Sequence, residues 1–435
     1  MSLLIVGGGA TGLASAYLAA KRGEQVTLLE ASGRVGGLLS TFEVGGTRLE
    51  CFYHHFFTHD QEIRWLLEEL GLAQEVRFVE TKMGMYRKGK LSPFTTTMDL
   101  LKFPHLNLLD KIRFGLTSLF LSRQKNWKKY EDVPALDWFY QWAGKRTTET
   151  IWRPMLEIKF GEYANRIPVS WMIGRLQQRL KSRSQDKEKL GYLQGSLQRL
   201  VDALELALEK LGVTIIKNAP VESFIFADGG EVVGVKTPKG KFRADKTLVT
   251  IPTIHLSKLL PDDQAEYRRN LEKIEYFGAI CAVVITRQQL SNTYWINVAD
   301  PGFEFGGVIE QTNLVPSGEY QGLHLTYLSR YATVHHPILY KKDEEIAALF
   351  KAQLQSIFPD LDNREVKDIK IFRTKTAATV CDLNFSQKIP AYRTPIPNLY
   401  VANMTHVYPD ERSVNNSIKV ALDADAILQN FIKLM

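Results

Sequence analysis

The sequence predicts an α/β protein organised around a parallel sheet with a nucleotide-binding turn at its edge. Leu3 to Val6 is a short apolar run of the kind that forms a buried parallel strand. A glycine-rich turn follows directly, and residues 14–22 have the small and apolar side chains of a helix that packs on a sheet. Residues 25–29 form a second apolar run that ends at Glu30. This order of strand, turn, helix and strand is typical of the Rossmann-type fold.

The glycine turn has the spacing that a dinucleotide pyrophosphate requires. Its residues are Gly7, Gly9 and Gly12, with Ala10 and Thr11 between the second and third glycines. Gly7 permits the tight turn, Gly9 lets the backbone approach a pyrophosphate, and Gly12 lets the helix pack closely on the strand. The helix N-terminus adds unpaired N–H groups and a positive dipole end. We therefore expect a bound dinucleotide at this turn.

Glu30 narrows the choice of dinucleotide. A carboxylate at the end of the second strand accepts hydrogen bonds from both hydroxyls of an adenosine ribose. The same carboxylate would repel a 2′-phosphate, which argues against NADP. Ala31, which follows it, is assigned to the same edge of the site.

A second glycine turn lies just after the acid. Its sequence is Arg34-Val35-Gly36-Gly37, followed by Leu38. Arg-x-Gly-Gly directly behind a Rossmann glutamate resembles the pattern of the superfamily of flavin-dependent amine oxidases, protoporphyrinogen oxidases and phytoene desaturases. The resemblance implies that this turn wraps the pyrophosphate of FAD and leads toward the flavin. Two glycines and an arginine also suit a ligand with two phosphates. We therefore expect FAD rather than NAD.

The resemblance extends to a central block and to the end of the chain. It implies a Rossmann-type (GR2-like) FAD-binding domain formed by residues 1–80, 190–260 and 376–435. Residues 81–189 and 261–375 would form an inserted substrate domain of mixed sheet plus helices. Asn403 and Met404 stand where the superfamily usually has Gly and Asp. The further cofactor contacts that it implies are Val221, Asn403, Met404, Ser413 and Asn416.

Composition bounds the class of protein. The chain has 435 residues, a length that predicts two joined domains. Its residues are 45% hydrophobic and 24% charged, as is ordinary for a globular protein, and its net charge is +7. Cys51, Cys281 and Cys381 form no CxxC pair, which predicts no metal site and no disulfide, and suits a reducing cytoplasm. No apolar stretch approaches the length of a membrane span, no signal peptide is visible, and we expect no nucleic-acid partner.

Two histidines are the candidate catalytic residues. A predicted hairpin over residues 41–50 delivers the aromatic segment 51–57, which contains His54 and His55. In the superfamily this segment lies beside the flavin ring. If the segment is a strand, successive side chains alternate, so one histidine would face the pocket and the other would pack behind it. Packing alone is the alternative role for both.

The inserted segments are less informative. Leu106 to Leu121 has apolar residues at helical spacing, which suits either a membrane-surface helix or, as we favour here, a cap helix of the substrate domain. The polar run from Lys181 to Lys189 predicts an exposed, mobile loop. Lys159, Arg330 and Arg373 are interpreted as candidates to face an acidic substrate, although surface or structural roles are more common.

The sequence thus predicts an FAD-dependent oxidoreductase that transfers a hydride from a C–H bond of a small organic substrate to flavin N5. An enzyme like UDP-galactopyranose mutase is the alternative, because Arg412 resembles its diphosphate-binding arginine. A flavin-binding scaffold without turnover is a third. The substrate, the electron acceptor and the oligomeric state stay open. Cys381 lacks the glycines that precede a flavin-linking cysteine, so we expect FAD to be bound without a covalent bond.

Overall fold

The computed structural model describes residues 1–184 and 187–430. Its strands are β1 Ser2–Val6, β2 Gln25–Leu29, β3 Thr41–Val44, β4 Thr47–Glu50, β5 Phe56–Phe57, β6 Val76–Thr81, β7 Met83–Arg87, β8 Lys90–Pro93, β9 Arg183–Ser184, β10 Lys187–Leu193, β11 Thr214–Ile216, β12 Ser223–Phe226, β13 Val232–Thr237, β14 Gly240–Arg243, β15 Lys246–Val249, β16 Tyr276–Thr286, β17 Trp295–Val298, β18 Gly307–Glu310, β19 His324–Thr333, β20 Val366–Thr379 and β21 Leu399–Val401.

The helices are α1 Ala10–Lys21, α2 Gln61–Glu69, α3 Thr97–Lys102, α4 Leu108–Ser122, α5 Ala135–Trp142, α6 Lys145–Thr147, α7 Arg153–Phe160, α8 Val169–Lys181, α9 Gln198–Lys210, α10 Thr253–Ser257, α11 Ala265–Glu272, α12 Asp343–Ile357 and α13 Val414–Asn430. A π-helical stretch, Thr148–Trp152, joins α6 to α7. None of the helices that the structure describes is both long and apolar enough to cross a bilayer.

A five-stranded parallel sheet carries the predicted nucleotide-binding turn. Its order is β11-β2-β1-β15-β21, so β1, which leads into the glycine turn, is central, and β15 and β21 come from distant parts of the chain. Helices α1, α9 and α13 supply buried apolar residues to one core with the sheet. The α/β fold class is therefore confirmed, and the domain boundaries stay a prediction.

A second, seven-stranded sheet has the order β20-β16-β19-β18-β17-β7-β8. It is mixed, because β17 pairs with β7 in parallel while its other pairs are antiparallel. Strand β16 is buried along almost its whole length, as its continuous apolar run of residues 276–285 requires. The helices between β8 and β9 bury a separate aromatic core. This part of the fold is the predicted mixed sheet plus helices.

Two local predictions need correction. Helix α1 begins at Ala10 rather than at residue 14, because the extended Gly9 (φ −75°, ψ −178°) is its N-cap and the glycine turn leads directly into the helix. The run of residues 181–189 is not a loop where it is described: it ends α8 and forms the antiparallel strands β9 and β10. Glu188 is buried there and accepts hydrogen bonds from Arg179 at 2.9 and 3.0 Å. Residues 185 and 186 lie outside the described part of the chain.

Candidate functional site

A cavity of about 590 Å³ joins the two sheets. One end is formed by the turns that follow β1 and β2, and the other by residues of β16, β19 and α8. The carboxyl ends of parallel strands are the expected ligand position in an open α/β sheet. The candidate site therefore lies where the Rossmann-type sheet and the mixed sheet meet.

The three glycines of the first turn have separate reasons to lack a side chain. Gly7 has φ +110°, and a Cβ there would lie 2.7 Å from Thr250 Oγ1. A Cβ on Gly12 would lie 1.9 Å from the carbonyl oxygen of Gly7, so the helix packs on the turn only without one. A Cβ on Gly9 would meet no protein atom within 4 Å, and Gly9 lines the cavity. Gly9 thus leaves free space that a ligand can fill.

The second glycine turn packs against the first. The N–H of Gly36 donates to the carbonyl of Gly8 at 2.7 Å, and Gly9 and Gly36 form a parallel bridge. A Cβ on Gly37 would lie 3.2 Å from the Cα of Gly9. Gly36, Gly37 and Leu38 line the cavity beside the first turn. The two turns together form one wall of backbone, which suits an extended diphosphate.

Glu30 is fixed at the rim of this wall. Its Oε2 accepts a hydrogen bond from the N–H of Gly8 at 2.8 Å, and its Oε1 accepts one from the N–H of Ser32 at 2.8 Å. The carboxylate also lines the cavity, so its remaining lone pairs can accept hydrogen bonds from ribose hydroxyls. Ala10 and Thr11 line the same end, and Thr11 Oγ1 donates to the carbonyl of Ser417 at 3.1 Å.

Four assigned residues, Ala31, Arg34, Val221 and Asn416, are not among those that line the cavity. Ala31 is exposed, and Arg34 is exposed and donates to the carbonyl of Thr41 at 3.2 Å. This bond links the second glycine turn to β3. Val221 packs half-buried beside β1 and β2, and Asn416 Nδ2 donates to the carbonyl of Glu411 at 2.6 Å.

The C-terminal segment closes the far side of the wall. Asn403 is buried, and its Nδ2 donates to the carbonyl of Ile251 at 2.8 Å. Its Oδ1 accepts the hydroxyl of Thr405 at 2.7 Å, so this side chain fixes the connection between β21 and α13. Asn403, Met404 and Ser413 all line the cavity. Ser413 Oγ accepts the N–H of Asn416 at 3.0 Å and so caps α13, whose N-terminus faces the cavity.

Both candidate histidines lie on the cavity wall, which corrects the expectation that they face opposite sides. Residues 53–55 precede the short strand β5 and are not part of it, so the alternation of a strand does not apply to them. The Nδ1 of His54 is 2.6 Å from the carbonyl oxygen of Phe52, and the Nδ1 of His55 is 3.2 Å from the hydroxyl of Tyr294. The Nε2 atom of each ring is left to interact with a ligand.

The environment keeps both imidazoles neutral. Withdrawal from water lowers the pKa of His54 to about 4, and the guanidinium of Arg412 acts in the same direction. Withdrawal from water also lowers the pKa of His55 to about 3, with Arg179 as the second cause. A cationic ring is unfavourable in this position, because burial and nearby positive charge both oppose it.

A group of charged residues at the substrate end was largely missed from the sequence. Arg175 and Arg179 lie on α8, and Glu411 and Arg412 precede α13; all four line the cavity. Burial lowers the pKa of Arg175 to about 9. The i,i+4 spacing of Arg175 and Arg179 places them on one helix face, which is the signal that sequence reasoning had available. Arg412 was singled out only for the mutase alternative.

The charges in this group are not balanced. Glu411 pairs with both Arg175 and Lys159, and Glu188 pairs with Arg179. Arg412 donates to the carbonyl of Ala377 and to the hydroxyl of Tyr331, with its guanidinium carbon 5.0 Å from the centre of that ring. It has no carboxylate partner among the described residues. The substrate end of the cavity therefore presents a positive charge.

The other basic residues considered from sequence have structural partners. Lys159 lies 5.0 Å from the centre of the Trp171 ring in addition to its pairing with Glu411. Arg373 pairs with Asp343 and donates to two backbone carbonyls, and Arg330 lies 3.6 Å from Glu304. No group of three His, Cys, Asp or Glu side chains in the described ranges is arranged to hold a metal ion. All three cysteines are buried and free.

The fold, the paired glycine turns and the joined cavity define an FAD-dependent oxidoreductase. The space at Gly9 and the backbone wall formed by the two turns fit the diphosphate of that cofactor. The family comparison then gives the family: the model for flavin-containing amine oxidoreductases matches residues 10–409, and the chain belongs to that family.

Three similar proteins are distant in sequence but match over most of this chain. The 15-cis-phytoene desaturase of Solanum lycopersicum is 23% identical over 439 residues, covering 92% of this chain and 73% of the relative. A structure of reduced UDP-galactopyranose mutase superposes with a TM-score of 0.76 at 14% identity, covering 99% of this chain and 96% of the other. Putrescine oxidase bound to putrescine gives a TM-score of 0.74 at 16% identity, covering 99% of both chains. The two structures show the shared fold.

Proposed function

We propose that this enzyme oxidises a C–H bond of a small organic substrate that carries an anionic group. FAD would supply the chemistry by accepting a hydride at flavin N5, which leaves a C=C or C=N bond in the substrate. The observation that carries the proposal is the single cavity that joins the glycine turns to the histidine, tyrosine and arginine side chains. The protein's own part is to bind, align and enclose the substrate.

Arg412 is the proposed anchor for the anionic group. A guanidinium that lines a cavity and has no carboxylate partner there suits a carboxylate or a phosphate. Tyr331 and Tyr53 hold this region in place, because their hydroxyls lie 3.1 Å apart and Arg412 donates to Tyr331. Binding at this anchor would hold the reacting carbon at a set distance from the glycine wall.

His54 and His55 are proposed to orient the substrate through their Nε2 atoms. Their low pKa values keep both rings neutral at pH 7. Because Nδ1 of His54 faces a carbonyl oxygen and must donate to it, Nε2 of His54 can accept a hydrogen bond from an amine or hydroxyl group, whereas Nε2 of His55 accepts or donates according to the direction of its bond to Tyr294. Oxidation of an amine needs no further base. In a carbon–carbon desaturation one histidine would accept the proton, although a group with so low a pKa is a weak acceptor at neutral pH.

Catalysis of sugar-ring rearrangement without net redox is the second candidate. The structural similarity to reduced UDP-galactopyranose mutase and the position of Arg412 favour it. Such an enzyme would need reduced FAD for every turnover and would bind a nucleotide sugar through its diphosphate. The positively charged end of the cavity suits that ligand as well as a carboxylate.

Anaerobic flavin reduction separates the two candidates. The holoenzyme is mixed without oxygen with a set of amines, carboxylic acids and nucleotide sugars while the flavin absorbance is followed. Bleaching by an acidic or amino substrate, with one oxidised product per flavin, would support the oxidoreductase. Conversion of a nucleotide sugar only after reduction with dithionite, without bleaching, would support the mutase. Tight binding of such ligands without either reaction would contradict both.

A further inference from the structure

Helix α4 exposes its apolar side chains and buries polar ones. Its buried residues are Asp110, Thr117 and Leu121. Six large apolar residues on the same helix are between 41% and 65% exposed: Leu108, Leu109, Ile112, Leu116, Leu119 and Phe120. Their spacing of three and four places them along one face. A helix that only covered the substrate domain would turn this face inward.

Neighbouring elements extend the exposed surface. Met98 and Leu101 of α3 are also exposed, and Lys111 Nζ donates to the carbonyl of Leu101 at 2.6 Å, which holds α3 beside α4. Trp142 of α5 is 56% exposed and adjoins Phe120 through the ring of Trp138. Nine of the seventeen exposed large apolar side chains in the described residues fall between positions 98 and 142. We call these nine residues the apolar patch.

The patch has a rigid support. Gln177 of α8 donates to the carbonyl of Gln124, just after α4, at 2.6 Å. Phe114 of α4 stacks on the buried Trp152 with ring centres 5.0 Å apart. The inner face of α4 is therefore fixed by packing, and its outer face is free to meet a partner.

The segment that carries the patch is rich in exposed basic residues. Residues 97–146 contain nine Lys and Arg against five Asp and Glu. Three of the acids are engaged locally, because Asp99 and Asp110 complete the capping boxes at the starts of α3 and α4, and Glu131 accepts a hydrogen bond from Ser386. The exposed cations are Lys102, Arg113, Arg123, Lys125, Lys128, Lys129, Lys145 and Arg146.

We propose that the apolar patch docks on the surface of an anionic lipid bilayer. An exposed apolar helix face with flanking Lys and Arg is the combination that lies in the boundary between acyl chains and negatively charged headgroups. A second copy of the chain fits less well, because two-fold association through the patch would bring the same positively charged segment against itself. The inference is independent of the proposed substrate.

Vesicle co-sedimentation of the full-length holoenzyme tests the docking. Wild-type protein should bind vesicles of phosphatidylcholine mixed with phosphatidylglycerol, bind phosphatidylcholine alone much more weakly, and be released by salt. The double variant Leu109→Gln with Leu116→Gln should reduce binding at least ten-fold. Lys125→Glu with Lys128→Glu should reduce it by a similar factor, since each cation contributes about five-fold near such a surface.

Matched controls separate docking from unfolding. Leu206→Gln with Leu211→Gln changes two exposed leucines outside the patch, and Lys210→Glu with Lys241→Glu changes two outside cations; both variants should bind as wild type does.

Flavin content and thermal unfolding should be unchanged in all four double variants. Failure of wild type to bind anionic vesicles would overturn the proposal. Vesicle binding by the patch variants that equals that of wild type would also overturn it. So would the finding that wild type is a dimer in solution whereas Leu109→Gln with Leu116→Gln is a monomer.

Discussion

Replacing Gly9 by Val tests the assignment of the first glycine turn to the FAD diphosphate. Gly9 has φ −75° and ψ −178°, a conformation open to any residue, and a Cβ there meets no protein atom within 4 Å. The added side chain therefore extends into the cavity without displacing protein. The protein should lose at most about 1 kcal/mol of folding stability, the usual cost of a poor helix N-cap.

The cost to FAD binding should be larger. Extra methyl groups in a fully packed space cost typically 1–3 kcal/mol, and a rigid diphosphate held by two turns leaves little room to relax. A loss of about 3 kcal/mol corresponds to a Kd roughly 150-fold higher. Gly12→Ala should act differently, because its Cβ would collide with the carbonyl of Gly7 and lower the melting temperature of the apoprotein.

Titration of apoprotein with FAD, followed by flavin fluorescence, gives the Kd, and thermal unfolding without FAD gives the stability. Gly115→Val is the matched control, since a Cβ at this position on α4 also meets nothing within 4 Å but lies away from the cavity. It should leave the Kd unchanged. If Gly9→Val binds FAD as tightly as wild type, the space at Gly9 is not where the diphosphate lies.

Three further predictions concern the rest of the cavity. His54→Ala or His55→Ala should keep FAD bound but slow flavin reduction in single-turnover experiments, by on the order of 10²-fold for the ring that contacts substrate. Because both pKa values lie below the ordinary 6.5, the unfolded chain takes up protons first, and wild-type stability should fall as pH drops from 6.5 toward 4. Thermal unfolding across that range should show a smaller fall for His54→Gln, and an equal fall would argue against the buried neutral ring. Arg412→Gln should raise KM for an anionic substrate about ten-fold or more with FAD content unchanged, while Arg412→Lys should restore part of the affinity. An unchanged KM would remove Arg412 from substrate binding.

The nucleotide end of the site was predictable because its constraints are local in sequence. Gly12 must lack a Cβ because of the carbonyl of Gly7 five residues earlier, Gly9 borders the space for a ligand, and Glu30 follows one strand at a fixed distance. A Cβ on Gly7 would instead meet a distant residue, Thr250. The spacing of these glycines and Glu30 is therefore recognisable in the sequence without knowledge of the rest of the fold. The hydrogen bond from Arg34 to the carbonyl of Thr41 was not predictable in this way, because nothing in the second turn indicates a partner on β3.

The residues at the substrate end of the cavity could not be predicted from the sequence in the same way. Arg175, Glu411 and Tyr331 are far apart along the chain, and each is an ordinary residue in its own segment. Only the packing of α8 against the mixed sheet and the loop before α13 brings them together. The expectation that His54 and His55 face opposite sides was wrong in part because it assumed a strand. Residues 51–55 are not in a strand, and β5 begins only at Phe56.

The strand order of the parallel sheet also decides when this protein can become functional during synthesis. Strand β1 ends at Val6, yet β15 beside it begins only at residue 246, and β21 at the edge of the same sheet begins at residue 399. Helix α13, which packs on α1, is made later still. Pairing between such distant residues is slow, because a long loop must close before the contact stabilises anything. A nascent chain therefore cannot complete the parallel sheet around its first glycine turn until β21 and α13 have emerged, and truncation before β21 should abolish flavin uptake rather than leave a smaller flavin-binding fragment.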